Sequence, residues 1–83
     1  MDIKTGQIWV GKDIKDPVCV TGIDSKWINI EWIWQTQDSA WIERDGFTGV
    51  DFLKRFDFYA ESMPYHEFKN WCANWKKGGD DDL

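Results

Sequence analysis

The segment Trp27-Ile28-Asn29-Ile30-Glu31-Trp32-Ile33-Trp34 alternates at a period of two. Its even positions are Ile28, Ile30, Trp32 and Trp34, and polar Asn29 and Glu31 occupy odd ones. Successive side chains of a strand point to opposite sides of the pleat. The even set is therefore expected against a core, with Trp27 and Ile33 on the opposite face. At a helical pitch the same residues would scatter around the axis. A chain that contains this segment must build a sheet, and its other elements have to cover that sheet.

The flanking sequence supplies the other elements. Strands are expected over Gln7–Val10, over Val18–Thr21 behind Pro17, over Ala40–Arg44 and over Phe47–Val50. A hairpin turn at Asp45-Gly46 is expected to join the last two. Asp51 is the expected N-cap of one helical turn, Phe52–Phe56, ahead of a closing strand, Asp57–Tyr59. Beyond Ala60 the period changes. Phe68, Trp71, Cys72 and Trp75 recur at i, i+3, i+4 and i+7, with Tyr65 one turn earlier, which is the apolar stripe of an amphipathic helix. Ser62 is the expected cap of that helix, Pro64 sits in its first turn, and Gly78-Gly79 is the expected stop.

These signals predict one mainly β domain over residues 1–77, with strands in 6–59 and a C-terminal helix over 62–77. Residues 78–83 read as a disordered acidic tail. Closing five or six short strands into a small barrel would hide the bare edges that so short a sheet exposes.

Three short motifs strengthen that expectation. Gly6-Gln7-Ile8-Trp9, Val20-Thr21-Gly22-Ile23-Asp24 and Phe52-Leu53-Lys54-Arg55-Phe56 resemble small SH3-like barrel proteins encoded by bacteriophages and prophages. In that group a GQ-x-W strand opens the barrel and an FL-x-x-F turn closes it. The resemblance spans residues 6–58 and omits the helix that contains Trp71 and Trp75. It implies an SH3-like fold and a phage origin. Small accessory phage proteins commonly bind and disable a host protein, often one used in defence, so the resemblance also implies an inhibitor of a host partner.

Composition narrows the function. Fifteen acidic residues face ten basic ones, and three of the acids, Asp80, Asp81 and Asp82, lie in the tail, which leaves the body with an excess of about two negative charges. A body so close to neutral lacks the basic stripe that grips nucleic acid. It also lacks the dense acidic face of a nucleic-acid mimic. Single-strand binding by aromatic stacking is the rival reading. No apolar run exceeds the three residues of Trp32-Ile33-Trp34, so no signal core or membrane span is expected, and the cytoplasm is the expected compartment. Cys19 and Cys72 read as two buried thiols in a reducing compartment, with a single bridge between them as the alternative.

Chemistry-bearing constellations are not apparent. The lone histidine, His66, falls off the aromatic stripe, and Cys72 falls on it, where an inert buried thiol is expected. Cys19, Cys72 and His66 show no close ligand spacing, so neither a metal nor a cofactor is expected, and no catalytic residue is assigned.

Seven tryptophans, five phenylalanines and two tyrosines are another matter. Each buries on the order of 150–250 Å2, and together they exceed what a small core needs. Trp32, Trp34, Trp71 and Trp75 read as core. Trp9, Trp27, Trp41 and Ile33 are the candidates for an exposed apolar patch, with Glu43 and Asp45 beside them. Such a patch fits a host protein of unknown identity, a methylated lysine, a proline-rich peptide, or a homodimer seam.

Overall fold

The computed structural model describes residues 2–35 and 38–81, with side chains as far as Asn74. Five strands form one antiparallel sheet: β1 Ile8–Gly11, β2 Pro17–Ile23, β3 Trp27–Gln35, β4 Ala40–Thr48 and β5 Phe56–Ala60, in spatial order β4-β3-β2-β1-β5. A short helix, α1 Gly49–Arg55, links β4 to β5, and α2 Tyr65–Asp81 follows. The class is the expected one: mainly β, with a C-terminal helix. No helix among the described residues is long and apolar enough to cross a membrane.

Both faces of the sheet are buried, and parity assigns each residue to its side. On the α1 face, Trp9, Val18, Val20, Ile28 and Ile30 enclose Phe52 and Phe56. The Trp9 ring meets Phe52 edge-on at 4.9 Å and Phe58 at 5.5 Å. Edge-to-face pairs of this kind contribute about 0.5–1.5 kcal/mol beyond their buried area. On the α2 face, Ile8 and Ile33 pack against Phe68 and Cys72, with Cys19, Met63 and Trp71 around them. Bulges bend the sheet. Thr21 is extra between Val20 and Gly22, and Tyr59 is extra between the partners of Ile8 and Trp9. The second bulge accompanies a contact of Tyr59 with Trp71, their ring centroids 4.6 Å apart.

Several expectations are corrected. Asp45-Gly46 is not a hairpin turn. β4 runs straight through it to Thr48, and every residue from Ala40 to Thr48 stays in register with β3. The strong cross-strand pattern of β3 overrides the local turn signal. The N-cap of α1 is Thr48, whose hydroxyl accepts from the Asp51 N–H at 3.2 Å, so Asp51 sits inside the first turn. α2 begins at Tyr65 rather than at Ser62, because the Pro64 carbonyl accepts from the Glu67 and Phe68 N–H groups at 3.0 and 3.1 Å. The helix also continues through Gly78-Gly79 to Asp81. The expected packing of the Trp75 side chain, and Asp82 and Leu83 of the expected tail, lie outside the described residues.

Both cysteines are free thiols, Cys72 buried and Cys19 only half-buried. Burial pushes the Cys72 thiol up to about 11 from 9.0, and the same cause, with the Glu31 charge second, raises Cys19. Burial disfavours the thiolate in the folded state. Cys72 therefore supports folding fully below about 9, and that support disappears as pH climbs towards 11. Urea titrations are expected to show stability falling over this window, and Cys72→Ala is expected to flatten the fall. A second test separates the two capping residues of α1. Thr48→Ala should lower stability by about 1 kcal/mol, and Asp51→Ala by less.

Candidate functional site

β3 and β4 pair directly from Trp27 opposite Thr48 to Gln35 opposite Ala40. Opposed residues share a face, so this ladder fixes which predicted contact residues can act together. Trp34 lies opposite Trp41, Trp32 opposite Glu43, and Ile30 opposite Asp45. All are on the α1 face. Trp32 and Trp34 stack with centroids 6.4 Å apart and planes 19° from parallel. Trp41 remains 39% exposed, and Glu43 and Asp45 are exposed along the same side of β4. The result is a ledge of three indoles with two carboxylates at alternate positions. The Trp41 indole N–H donates to Glu43 at 3.4 Å, which ties the outer ring to the neighbouring acid.

The ledge opens into a cleft of about 420 Å3 between the β1–β2 loop, β4 and α1. Trp32, Asp45 and Phe47 form its floor side, Asp13 and Asp16 come from the loop, and Lys54 and Arg55 come from α1. Gly11 makes the loop possible, since a Cβ there would collide with the Ile14 carbonyl and the Asp16 carboxylate. Its N–H donates to the Asp16 carbonyl at 3.0 Å, and the Lys12 N–H donates to the Arg55 carbonyl at 2.9 Å. Asp16 then accepts from the Trp32 indole N–H at 2.7 Å, a short bond to a charged acceptor. Loop, strand and helix are thereby locked around one indole. Arg55 lies over the Phe47 ring at 5.2 Å, and Lys12 pairs with Asp57 at 3.9 Å.

Two of the predicted contact residues are not on the surface. Trp9 is 3% exposed, and its indole N–H donates to buried Gln7 at 3.1 Å. Ile33 is 2% exposed beneath α2. Parity placed both correctly relative to their neighbours. Because the sheet is covered on both sides, however, neither parity means solvent there. Trp27 is 42% exposed but is not part of the ledge. It lies on the α2 face at the far end of β3, about 23 Å along the strand from Trp34 at ~3.3 Å per residue. Its backbone is set by Asp24, whose carboxylate accepts from the Lys26 and Trp27 N–H groups at 3.0 and 2.8 Å. Those two bonds, Lys26 first, hold the Asp24 carboxyl below its ordinary range. Trp32 and Trp34, expected in the core, are half-buried, Trp32 packed against the Phe52 cluster, and Asp16 and the cleft were not expected from the sequence. The repeated Trp-Ile on both sides of the short loop, at Trp32-Ile33 and Trp41-Ile42, was the available signal.

Among the described residues no group of three or more His, Cys, Asp or Glu is placed to hold a metal ion. The Asp16–Trp32 bond has a direct test. Asp16→Ala should lower stability by about 1–3 kcal/mol, the usual effect of stranding a donor. It should also move the Trp32 indole N–H resonance upfield, and an unmoved resonance rules the bond out. Comparison with protein-family models, curated proteins and solved structures returns no match.

Proposed function

We propose that this domain is a protein-binding module of the SH3-like barrel type, and that its contact surface is the ledge of Trp32, Trp34, Trp41, Glu43 and Asp45. The observation that carries the reading is the clustering of three indoles on one side of the β3–β4 ladder, at the rim of an open cleft. Indole-rich patches of this kind concentrate binding energy in few residues. The barrel reading is supported by the strand order β4-β3-β2-β1-β5 and by the helical turn between the last two strands. The phage resemblance extends the proposal to a host protein as partner, inhibited because its surface is covered.

Charge favours a protein over a nucleic acid. Glu43 and Asp45 are exposed along β4, and the cleft beside them sets Asp13, Asp16 and Asp45 against Lys12, Lys54 and Arg55, so neither surface is the basic groove that a phosphate backbone needs.

The immobilised domain, incubated with bacterial lysate, supplies the partner. Affinities for that identified partner then decide the matter. Trp41→Ala is expected to weaken binding at least about tenfold, or ~1.4 kcal/mol. Trp27→Ala should bind as the parent does. A folded Trp41→Ala protein with undiminished affinity removes the ledge as the contact surface.

A further inference from the structure

We infer that the partner adds an extended segment to the free edge of β4 as a further strand, with basic residues at alternate positions facing Glu43 and Asp45. This rests on the protein-binding reading and specifies how the partner docks. Among the described residues β4 pairs only with β3 and forms one edge of the sheet. It is nine residues long and pairs without a register break. The other edge, β5, is shorter and interrupted by its bulge. Natural edges are usually shortened, bulged, covered or charged to prevent addition of a strand. β4 is neither short nor bulged, and its residues from Ala40 to Asp45 are all exposed. The one device it carries is charge, at Glu43, Arg44 and Asp45, which bars an acidic strand and admits a basic one.

The charge pattern selects the occupant. On the α1 face β4 presents Trp41, Glu43 and Asp45. On the other face Arg44 is already paired with Glu31 at 3.4 Å. An incoming strand therefore meets negative charge at alternate positions, Glu43 and Asp45, on one side only, with Lys54 and Arg55 of α1 across the cleft from Asp45. Main-chain hydrogen bonds supply the affinity in strand addition, and alternate side chains supply the specificity. Lysine or arginine at every second position meets both carboxylates, with long stems over the indoles. Asp45 also closes the strand's far end, because its carboxylate accepts from the Gly46 N–H at 2.8 Å. The open stretch is then Ala40–Asp45.

The same charges disfavour a second copy of this chain. A two-fold pairing of β4 must match residues of one face with one another. Centred on Glu43, it opposes Glu43 to its own copy. Centred on Arg44, it opposes Arg44 to its own copy and Glu43 to Asp45. A pairing centred on Ile42 retains only Ala40–Arg44. Like charges directly opposed destabilise a ladder.

The test uses the full chain and two capped peptides, Lys-Val-Lys-Val-Lys-Val and Glu-Val-Glu-Val-Glu-Val, with amide exchange followed by NMR. The basic peptide is expected to slow exchange of edge amides in Ala40–Asp45 at least about tenfold, and the acidic one to leave them unchanged. The double variant Glu43→Lys/Asp45→Lys, its fold checked by circular dichroism, is expected to reverse that preference. Unslowed β4 amides with the basic peptide overturn the proposal, as does equal slowing by both peptides. Protection without any peptide, together with a doubled mass in light scattering, overturns it in favour of self-pairing. None of these three failures touches the ledge reading if Trp41→Ala still weakens the identified partner.

Discussion

Covering β3 on both faces is the constraint from which the rest of the structure follows. Ile28 and Ile30 lie under the cluster built on Phe52 and Phe56, and Ile33 lies under Phe68 and Cys72 of α2. A domain this small has little interior, and its buried apolar residues are divided between two thin clusters on either side of one sheet. The arrangement has a geometric consequence. α1 and its aromatic cluster shield one part of the α1 face, and Trp32, packed against the margin of that cluster, and Trp34 remain half-buried at its limit. The pairing of β4 with β3 then brings Trp41 and the acids into line with them. The exposed ledge is what remains of an apolar face larger than its cover.

Polar groups hold this arrangement in place as firmly as apolar ones. Gln7 is buried and fully used: its side-chain oxygen accepts from the Lys4 N–H at 2.8 Å and from the Trp9 indole, and its amide donates to Glu61 at 3.1 Å. That network is what lets an indole sit in the core at Trp9 without a stranded donor. Asp16 does the equivalent for Trp32 at the cleft. Of two indoles on the same face, one is drawn inside by an amide and the other held at the rim by a carboxylate. The chemistry of each partner fits its place, since a neutral amide is easier to bury than a charge.

Much of the fold was legible because period and parity are local. The strand expected over Trp27–Trp34 and the helix stripe through Phe68, Trp71 and Cys72 follow from spacing, and the helical turn around Phe52 was expected from capping chemistry, although its cap is Thr48 rather than Asp51. What spacing cannot convey is the number of layers. Trp9 and Ile33 were assigned to the correct sides of their strands, yet those sides are roofed, one by Phe52 and Phe58, the other by α2. Cross-strand register was likewise invisible where a local turn signal competed with it. Asp45-Gly46 has turn chemistry, but Ile28 and Ile30 require partners opposite, and Phe47 and Asp45 supply them in unbroken register. Trp27 and Trp41 looked like neighbours on an exposed surface. The register places them at opposite ends and on opposite faces.

Hydroxyl-radical footprinting of the free and partner-bound domain tests most directly whether the β3–β4 ledge is where this domain meets its partner. Binding should suppress oxidation of Trp41 and leave oxidation of the equally exposed Trp27 at its free level. Suppression at Trp27 with Trp41 still oxidised would contradict the account, because it would move the contact to the opposite face of the sheet.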